Sequence, residues 1–294
     1  MTDKSGVGEL SAERCLSPQQ DCARPTFELP TLACDCHSHV TPSSKWNLAP
    51  DASYMPAETP PSLSRQMLQA LGFARGVIVQ SSVFGNDNSG VLEALAGDPG
   101  GLRGVAVADR FVSDDELWRW HSLGVRGLRF IASGFGGAVN IADMVALAPR
   151  IAELGWHVEI QLAMHQWIEL FPALKRLSAT LVIDHMGGIP VEVDQQHESI
   201  LAMRRLVRER GAFVKLISYR LGGDSQHPNI VNRVQQLYAD APKQMLWGTD
   251  WPHVMCQPMV DTGVLLNEFG CWFDHDAAAL KLILETNPSH LFDF

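Results

Sequence analysis

Charged residues are scarce in this sequence, and basic residues are scarcer than acidic ones. Only 19% of the 294 residues are charged, against 46% hydrophobic residues, which is typical of a globular chain and not of a disordered one. The formal net charge of -10 disfavours unspecific attraction to nucleic acid or to anionic lipid. Uninterrupted apolar runs of the length of a membrane span are also lacking. We therefore expect neither a nucleic acid nor a membrane as a partner.

Cysteine is sparse as well and shows no disulfide framework. The six cysteines, at positions 15, 22, 34, 36, 256 and 271, are spread through a long chain, so we expect reduced thiols, with Cys34 and Cys36 buried. Residues 1–28 lack the apolar core of a secretory signal, and the cytoplasm is the expected compartment. We expect residues 1–30 to form a flexible or loosely docked extension and residues 31–294 to form the folded domain.

What the sequence does contain is a regular alternation of apolar runs and amphipathic stretches. Near-continuous apolar strands separated by helices predict a parallel sheet that is covered on both faces. Eight such units, in a chain near the length of about 250 residues that is typical of the fold, favour a (β/α)8 TIM barrel over a doubly wound sheet. The predicted strands are residues 32–40, 76–80, 102–106, 125–130, 156–162, 180–185, 212–217 and 245–250. The predicted helices include residues 63–71, 114–123, 141–154, 198–210, 230–239, 260–273 and 276–285.

The carboxyl ends of the predicted strands are much more polar than the strands themselves. In a barrel of this kind the active site is built at those ends. The strand-end residues are His39, Ser81, Ser82, Arg129, Gln161, His185, Tyr219, Arg220 and Asp250. The barrel prediction therefore gathers polar residues that are scattered in the sequence into one constellation.

The first predicted strand carries Asp35, His37 and His39 at alternate positions. Residues two apart on a strand point to the same face, so these three side chains are predicted to share one side. Asp250, at the end of the last strand, faces the same mouth and is suited to act as a general base on water. The alternatives are a pair of core histidines hydrogen-bonded to backbone, and an aspartate that caps the following loop.

His185 and Arg129 end two further strands. The glycines after His185 permit a tight turn and a close approach to a ligand, whereas Asp184 is predicted to point the other way along its strand. Arg129 is the candidate for binding a substrate carboxylate, which arginine does with two parallel hydrogen bonds. The alternatives are a solvent-exposed loop histidine and an arginine that is ion-paired with a neighbouring strand-end acid.

Eight short motifs are spread along the predicted barrel. Four of them are Asp35-x-His37-x-His39, Asp184-His185-Met186-Gly187, Gly248-Thr249-Asp250-Trp251-Pro252-His253 and Asn287-Pro288-x-x-Leu291-Phe292. The others are Leu71-Gly72-Phe73-x-Arg75-x-Val77-Ile78-Val79-Gln80, Gly85-x-Asp87-Asn88, Arg126-Gly127-x-Arg129-Phe130 and Gly155-Trp156. Jointly these motifs resemble the amidohydrolase superfamily, and within it the 2-pyrone-4,6-dicarboxylate lactonase group of lactone hydrolases. The resemblance covers residues 32–294.

The resemblance implies a hydrolase that acts on the ester bond of a small lactone in catabolism. Asp250 would take a proton from the attacking water, while His37, His39 and His185 would polarise the lactone carbonyl and stabilise the developing oxyanion. The substrate-binding residues that the resemblance implies are Tyr54, Ser82, Arg129 and Arg220. We also expect Gln161 and His253 to bind substrate. A metal-dependent decarboxylase of the same superfamily is the alternative. A non-catalytic binding barrel is disfavoured, since it has no need of a base paired with an electrophile.

The resemblance also bears on cofactors, because the lactonase group works without metal. No cofactor is therefore expected. An occupied site would use His37, His39, His185 and Asp250 as nitrogen and oxygen ligands for one Zn²⁺ or Mn²⁺. Residues 156–161 offer no lysine to bridge a second ion.

Two departures from the family pattern concern the substrate. The stretch Ile131-Ala132-Ser133-Gly134-Phe135-Gly136-Gly137 lacks the basic residues that the pattern carries there, and Gly188 stands where an arginine commonly follows. Fewer cations predict fewer substrate carboxylates. We expect a lactone with one acidic group, or a neutral sugar-type lactone, and leave the formation of a homo-oligomer open.

Overall fold

The computed structural model describes residues 13–44, 46–132, 141–256 and 260–294, and eight parallel strands form its main sheet. These strands are β2 (Cys34–Ser38), β4 (Arg75–Val79), β5 (Leu102–Ala106), β6 (Val125–Ile131), β7 (His157–Gln161), β8 (Thr180–Ile183), β9 (Phe213–Lys215) and β10 (Met245–Leu246). Each strand pairs with the next one along the chain. A separate two-stranded pair joins β1 (Glu13–Arg14) to β3 (Tyr54–Met55). The predicted (β/α)8 barrel is confirmed.

The first and last strands meet and bring the barrel close to full closure. Ser38 forms a parallel bridge with Trp251, and the backbone N–H of Asp250 donates to the carbonyl of His37 at 2.7 Å. Gly248 permits this approach, because a Cβ at this position would lie 2.6 Å from the backbone nitrogen of His37. The closure therefore sets the predicted base directly beside the predicted histidines.

Helices follow the strands and cover the outside of the barrel, as the amphipathic stretches predict. Their bounds are α1 (Pro61–Leu71), α2 (Ser89–Gly97), α3 (Asp114–Leu123), α4 (Ile141–Glu153), α5 (Gln166–Glu169), α6 (Phe171–Arg176), α7 (Glu198–Arg210), α8 (Pro228–Asp240), α9 (Thr262–Cys271), α10 (Ala277–Lys281) and α11 (Asn287–Phe292). Ser113 caps α3 by accepting a hydrogen bond from the N–H of Glu116, and acidic residues fill the first turn of that helix. None of the helices in the described ranges is long and apolar enough to cross a membrane.

A second apolar cluster lies apart from the strand–helix interface. It contains Cys34 and Cys36 together with alternate strand residues such as Val77 and Val79, and Phe292 of α11 packs into it. The register between β2 and β4 shifts between Asp35 and Ser38, so the simple alternation predicted for the first strand is broken there. Both cysteines are buried free thiols, as expected.

Residues 22–27 lie against α9 over two of its glycines. A Cβ at Gly263 would meet the carbonyl oxygen of Ala23 at 1.9 Å, and one at Gly270 would meet the ring of Phe27 at 2.6 Å. The N–H of Ala23 also donates to both carboxylate oxygens of Asp261, at 3.0 and 3.1 Å. Residues 1–12 of the predicted extension lie outside the described residues, and the boundary at residue 30 stays a prediction.

Candidate active site

A cavity of about 50 Å³ opens at the carboxyl ends of the barrel strands, and most of the predicted site residues surround it. It is lined by His39, Tyr54, Ser82, Arg129, Gln161, His185, Arg220, Asp250, Val254 and Met255. The hydroxyl of Tyr54 forms a hydrogen bond of 2.8 Å with that of Ser81. His37 lies near the cavity lining but is fully buried. His253 is also buried, does not line this cavity, and contacts the hydroxyl of Thr262 at 2.9 Å.

Asp250 has two carboxylate oxygens in different surroundings. Oδ2 accepts hydrogen bonds from the guanidinium of Arg220 and from the hydroxyl of Tyr219, the latter at 2.7 Å. Oδ1 lies 3.2 Å from Nε2 of His39 and 3.6 Å from Nε2 of His37. Burial alone would raise the pKa of Asp250, but the facing charge of Arg220 and the nearby histidines hold it well below its usual value. The carboxylate is therefore ionised at any ordinary pH.

His37 of β2 and His39, just after it, meet beside Asp250 with their rings perpendicular. Their Nε2 atoms are 3.3 Å apart, and Nδ1 of His39 contacts the carbonyl oxygen of Val79 at 2.7 Å. Because a carbonyl only accepts, this contact assigns the proton of a neutral His39 to Nδ1. Burial and the charge of Lys215 lower the pKa of His37 to about 3. His37 is therefore neutral under ordinary conditions.

The turn after β8 brings Asp184 and His185 into the site. His185 and Met186 adopt left-handed backbone, with φ of 46° and 47°, directly after the strand ends at Ile183. The prediction that Asp184 points away is wrong: its carboxylate is buried 3.3 Å from Nδ1 of His37. Asp184 lies on the same side as Val182, and the left-handed backbone then turns His185 to that side too, against simple alternation. Burial lowers the pKa of His185 to about 4.

Arg129 lies in the cavity wall but is already held by protein groups. Its Nε and Nη2 contact Oδ2 of Asp184 at 3.1 and 2.9 Å. Its Nη2 also donates to Oε1 of Gln161 at 3.0 Å, and Nη1 donates to the carbonyl of Gln80 at 3.3 Å. The ion pair with a strand-end acid, left open from the sequence, is present.

Lys215 is the residue of this region that the sequence reasoning misses. It is fully buried on β9, and its Nζ lies 2.5 Å from Oε2 of Glu159, 2.9 Å from Nδ1 of His37 and 3.6 Å from Oδ1 of Asp184. Burial would raise the pKa of Asp184, but His37, Lys215 and Arg129 together hold it well below its usual value. The available signal was a single lysine inside the apolar run 212–217. A lysine is almost never fully buried unless it is paired.

Asp35 holds the chain at the barrel closure and does not reach a histidine ring. Its Oδ1 accepts hydrogen bonds from the N–H groups of His37, at 3.1 Å, and of Thr249, at 2.9 Å. Its Oδ2 accepts from the hydroxyl of Thr249 at 2.6 Å. Burial raises the pKa of Asp35 to about 6, against the effect of these hydrogen bonds. Its partners therefore tie β2 to the residues that precede Asp250.

A family model described as amidohydrolase matches residues 34–294, which is nearly the whole barrel. The chain belongs to the amidohydrolase family. The amidohydrolase is 32% identical to a 2-pyrone-4,6-dicarboxylate hydrolase of Comamonas testosteroni, over 92% of this chain and 93% of that one. It is 28% identical to a 4-sulfomuconolactone hydrolase of Rhizobium radiobacter, over 95% of each chain.

A solved apo structure from Agrobacterium tumefaciens supports the fold of this amidohydrolase. It superposes with a TM-score of 0.83 at 23% identity and covers 92% of this chain and 98% of its own. At that identity the likeness concerns the barrel alone.

Two sets of side chains in the amidohydrolase have the spacing of metal ligands, namely His37, His39 and Asp250, and His37, Asp184 and His185. In the first set the ligand atoms are 3.2 to 3.6 Å apart, as expected around an ion with bonds of about 2.0 Å. Both sets need His37, however, and its Nδ1 faces the ammonium of Lys215. This ammonium stands where an ion would bind in the second set, and the chemistry proposed below uses no metal.

Proposed function

We propose that this amidohydrolase opens a small organic-acid or sugar-type lactone, with Asp250 as the general base. The observation that carries the proposal is that the two oxygens of the Asp250 carboxylate have different surroundings. Oδ2 is held by Arg220 and Tyr219, while Oδ1 is buried and has no hydrogen-bond donor in place within the described ranges. A buried acceptor without a partner is costly, and a water molecule at the mouth would satisfy it. That water is the proposed nucleophile.

The proton of this water would pass to Asp250, with His39 as its neighbour. Nε2 of a neutral His39 is an acceptor and lies 3.2 Å from Oδ1 of Asp250. The aspartate and the imidazole can therefore share the proton between attack and ring opening, and return it to the leaving alkoxide. His37 and His185 would donate to the carbonyl oxygen, on which negative charge develops during attack.

The substrate is proposed to carry at most one acidic group. The guanidinium of Arg129 is almost fully buried among Asp184, Gln161 and Gln80, so the more exposed Arg220 is the better partner for a carboxylate. Its side chain is 24% exposed and lines the cavity. Gly188 adds no cation. Residues 133–137, part of the stretch 131–137 that lacks basic residues, lie outside the described residues.

Binding of such a carboxylate would also activate the base. A substrate carboxylate on Arg220 competes with Asp250 for the same guanidinium, which reduces the stabilisation of ionised Asp250. The basicity of Asp250 would then increase when substrate is bound. The hydrolase names of the relatives favour this reaction over the decarboxylase alternative.

Steady-state assays on a panel of lactones test the proposal. The panel contains a monocarboxylic lactone, a neutral aldonolactone, 2-pyrone-4,6-dicarboxylate and 4-sulfomuconolactone, and we expect the first two to be opened best. Asp250→Asn should bind substrate but lose about 10²- to 10⁴-fold in kcat, because an amide cannot accept the proton. Asp115→Asn removes an exposed carboxylate and serves as the matched control.

Three outcomes would contradict parts of this proposal. Efficient hydrolysis of the dicarboxylate would refute the substrate class. Near-normal turnover by the Asp250→Asn enzyme would remove Asp250 from its role. Release of CO₂ from an aromatic acid, without opening of any lactone, would refute the reaction itself.

A further inference from the structure

Lys215 is the one lysine whose ammonium touches the ring of a proposed catalytic histidine within the described residues. A merely structural account would have it neutralise Glu159 and Asp184, two carboxylates that are fully or almost fully buried in the barrel. That account explains the two ion pairs. It leaves aside the 2.9 Å contact between Nζ of Lys215 and Nδ1 of His37.

The hydrogen bond between Lys215 and His37 can run in only one direction. An ammonium donates and cannot accept, so Nδ1 of His37 must be the acceptor and a neutral His37 carries its proton on Nε2. The reverse arrangement would donate Nδ1–H to Oδ1 of Asp184, at 3.3 Å, and set two donors against each other at 2.9 Å. The shorter contact therefore decides the tautomer.

The neighbouring ring agrees with this direction. His39 donates its Nδ1–H to the carbonyl of Val79, which leaves its Nε2 as an acceptor 3.3 Å from Nε2 of His37. The hydrogen bonds thus run in one sense from Lys215 through His37 and His39 to Val79. A substrate oxygen that reached between the two rings would accept the Nε2–H of His37 in place of Nε2 of His39.

The same arrangement opposes a divalent ion. Coordination by the Nε2 of His37 beside His39 and Asp250 would need a lone pair where Lys215 imposes a proton. In the set with Asp184 and His185, the ammonium already lies 2.9 Å and 3.6 Å from two of the ligand atoms. The ammonium of Lys215 thus supplies positive charge at the position that a metal ion would occupy.

We propose that Lys215 is a positioning residue that holds His37 as an Nε2–H donor and takes the place of a divalent metal in this site. The first part rests on the proposed function, since the donor acts on the lactone carbonyl. The second part concerns the free protein and does not depend on any substrate.

Nitrogen NMR of the full chain labelled with ¹⁵N-histidine measures the tautomer directly. The His37 signals are assigned by their loss in His37→Gln. We expect the Nε2–H tautomer in the native chain, and a change toward Nδ1–H in Lys215→Met, where Asp184 becomes the acceptor. Observation of Nδ1–H in the native chain would overturn the proposal.

Lys215→Met alone leaves two buried carboxylates without their cation and could fail to fold, so a second variant keeps the charge of the buried cluster balanced. Lys215→Met with Glu159→Gln removes one charge of each sign from the buried cluster, and Glu159→Gln alone keeps the lysine as the matched control. We expect the double variant to lose the Nε2–H preference and the control to retain it. The same tautomer in both variants would refute a role for Lys215.

Metal content after dialysis against Zn²⁺ or Mn²⁺, followed by removal of excess ion, tests the second part. We expect native protein and Glu159→Gln to retain well under one equivalent, and the double variant to retain more. One tightly held equivalent in the native protein would overturn the proposal. Because neither readout uses a lactone, failure of the proposed reaction in the substrate panel would be recognised separately.

Discussion

Replacing Arg220 by methionine removes the cation that contacts Asp250 and should move the acid limb of the pH–rate profile to higher pH. In the native chain Asp250 is ionised well below its usual pKa, and burial lowers the pKa of His185 to about 4. Asp250 therefore stays ionised, and His185 neutral, down to about pH 4. Without Arg220, burial is opposed by fewer charges, so the pKa of Asp250 rises and the base is protonated earlier as the pH falls.

The size of the effect follows from the geometry of the pair. Two unit charges about 4 Å apart interact by about 4 kcal/mol at an effective dielectric constant of about 20. The Arg220 side chain is 24% exposed, and solvent screening reduces this value. Since 1.36 kcal/mol corresponds to one pH unit, losing the pair is equivalent to about one to three pH units. The acid limb moves up by the part of this change that carries the ionisation of Asp250 above pH 4.

The assay is the pH dependence of kcat/KM, which reports the ionisation of the free enzyme. A neutral lactone is used so that the substrate does not titrate, and Arg220→Lys keeps the charge as the control. We expect the limb of Arg220→Lys to lie near that of the native enzyme. Coincident acid limbs in all three proteins would refute the argument that Arg220 sets the basicity of Asp250.

Two further predictions concern stability. His37, His185 and His253 have pKa values lowered to about 3, 4 and 4 in the folded chain, so the unfolded chain binds more protons below about pH 6.5. The free energy of unfolding from urea melts should fall by several kcal/mol between about pH 6.5 and pH 4, and a pH-independent value would contradict the neutral, buried imidazoles. Phe292→Ala should cost about 3 to 5 kcal/mol, whereas Trp118→Ala, at a residue 58% exposed, should cost far less. Equal losses in the two variants would mean that Phe292 is not part of the packed barrel interior.

The fold was accessible from the sequence because its signal is distributed over many residues. Eight apolar runs alternate with amphipathic stretches, and parallel strands expose their polar ends at one mouth. Small errors at single positions, such as β10 ending at Leu246, do not change that result. Most of the residues around the cavity followed from the same rule, among them His39, Arg129 and Asp250, whereas Val254 and Met255 did not.

The missed features depend on geometry that periodicity does not encode. Lys215 ends β9, and its partners come from β2, from β7 and from the turn after β8, so they cannot be read from neighbouring positions. Asp184 lies on the same side as Val182, two residues before it, and the left-handed backbone at His185 brings the next side chain into the site as well. The role of Tyr219 as a donor to Asp250 likewise depends on the conformation of the segment that follows β9.

Activity requires that β2 and the residues after β10 are joined at the seam where the barrel closes. Asp35 and Thr249 are 214 residues apart in the chain, so the contact that joins them forms only after a large loop-closure entropy has been overcome. His37 and His39 stand on one side of this seam, and Asp250, the proposed base, stands on the other. A partly folded chain can hold most of its strands and helices and still have no paired base and electrophile. Substitutions that weaken the contacts at this seam should therefore abolish turnover, while the circular dichroism spectrum still shows nearly the native content of helix and strand.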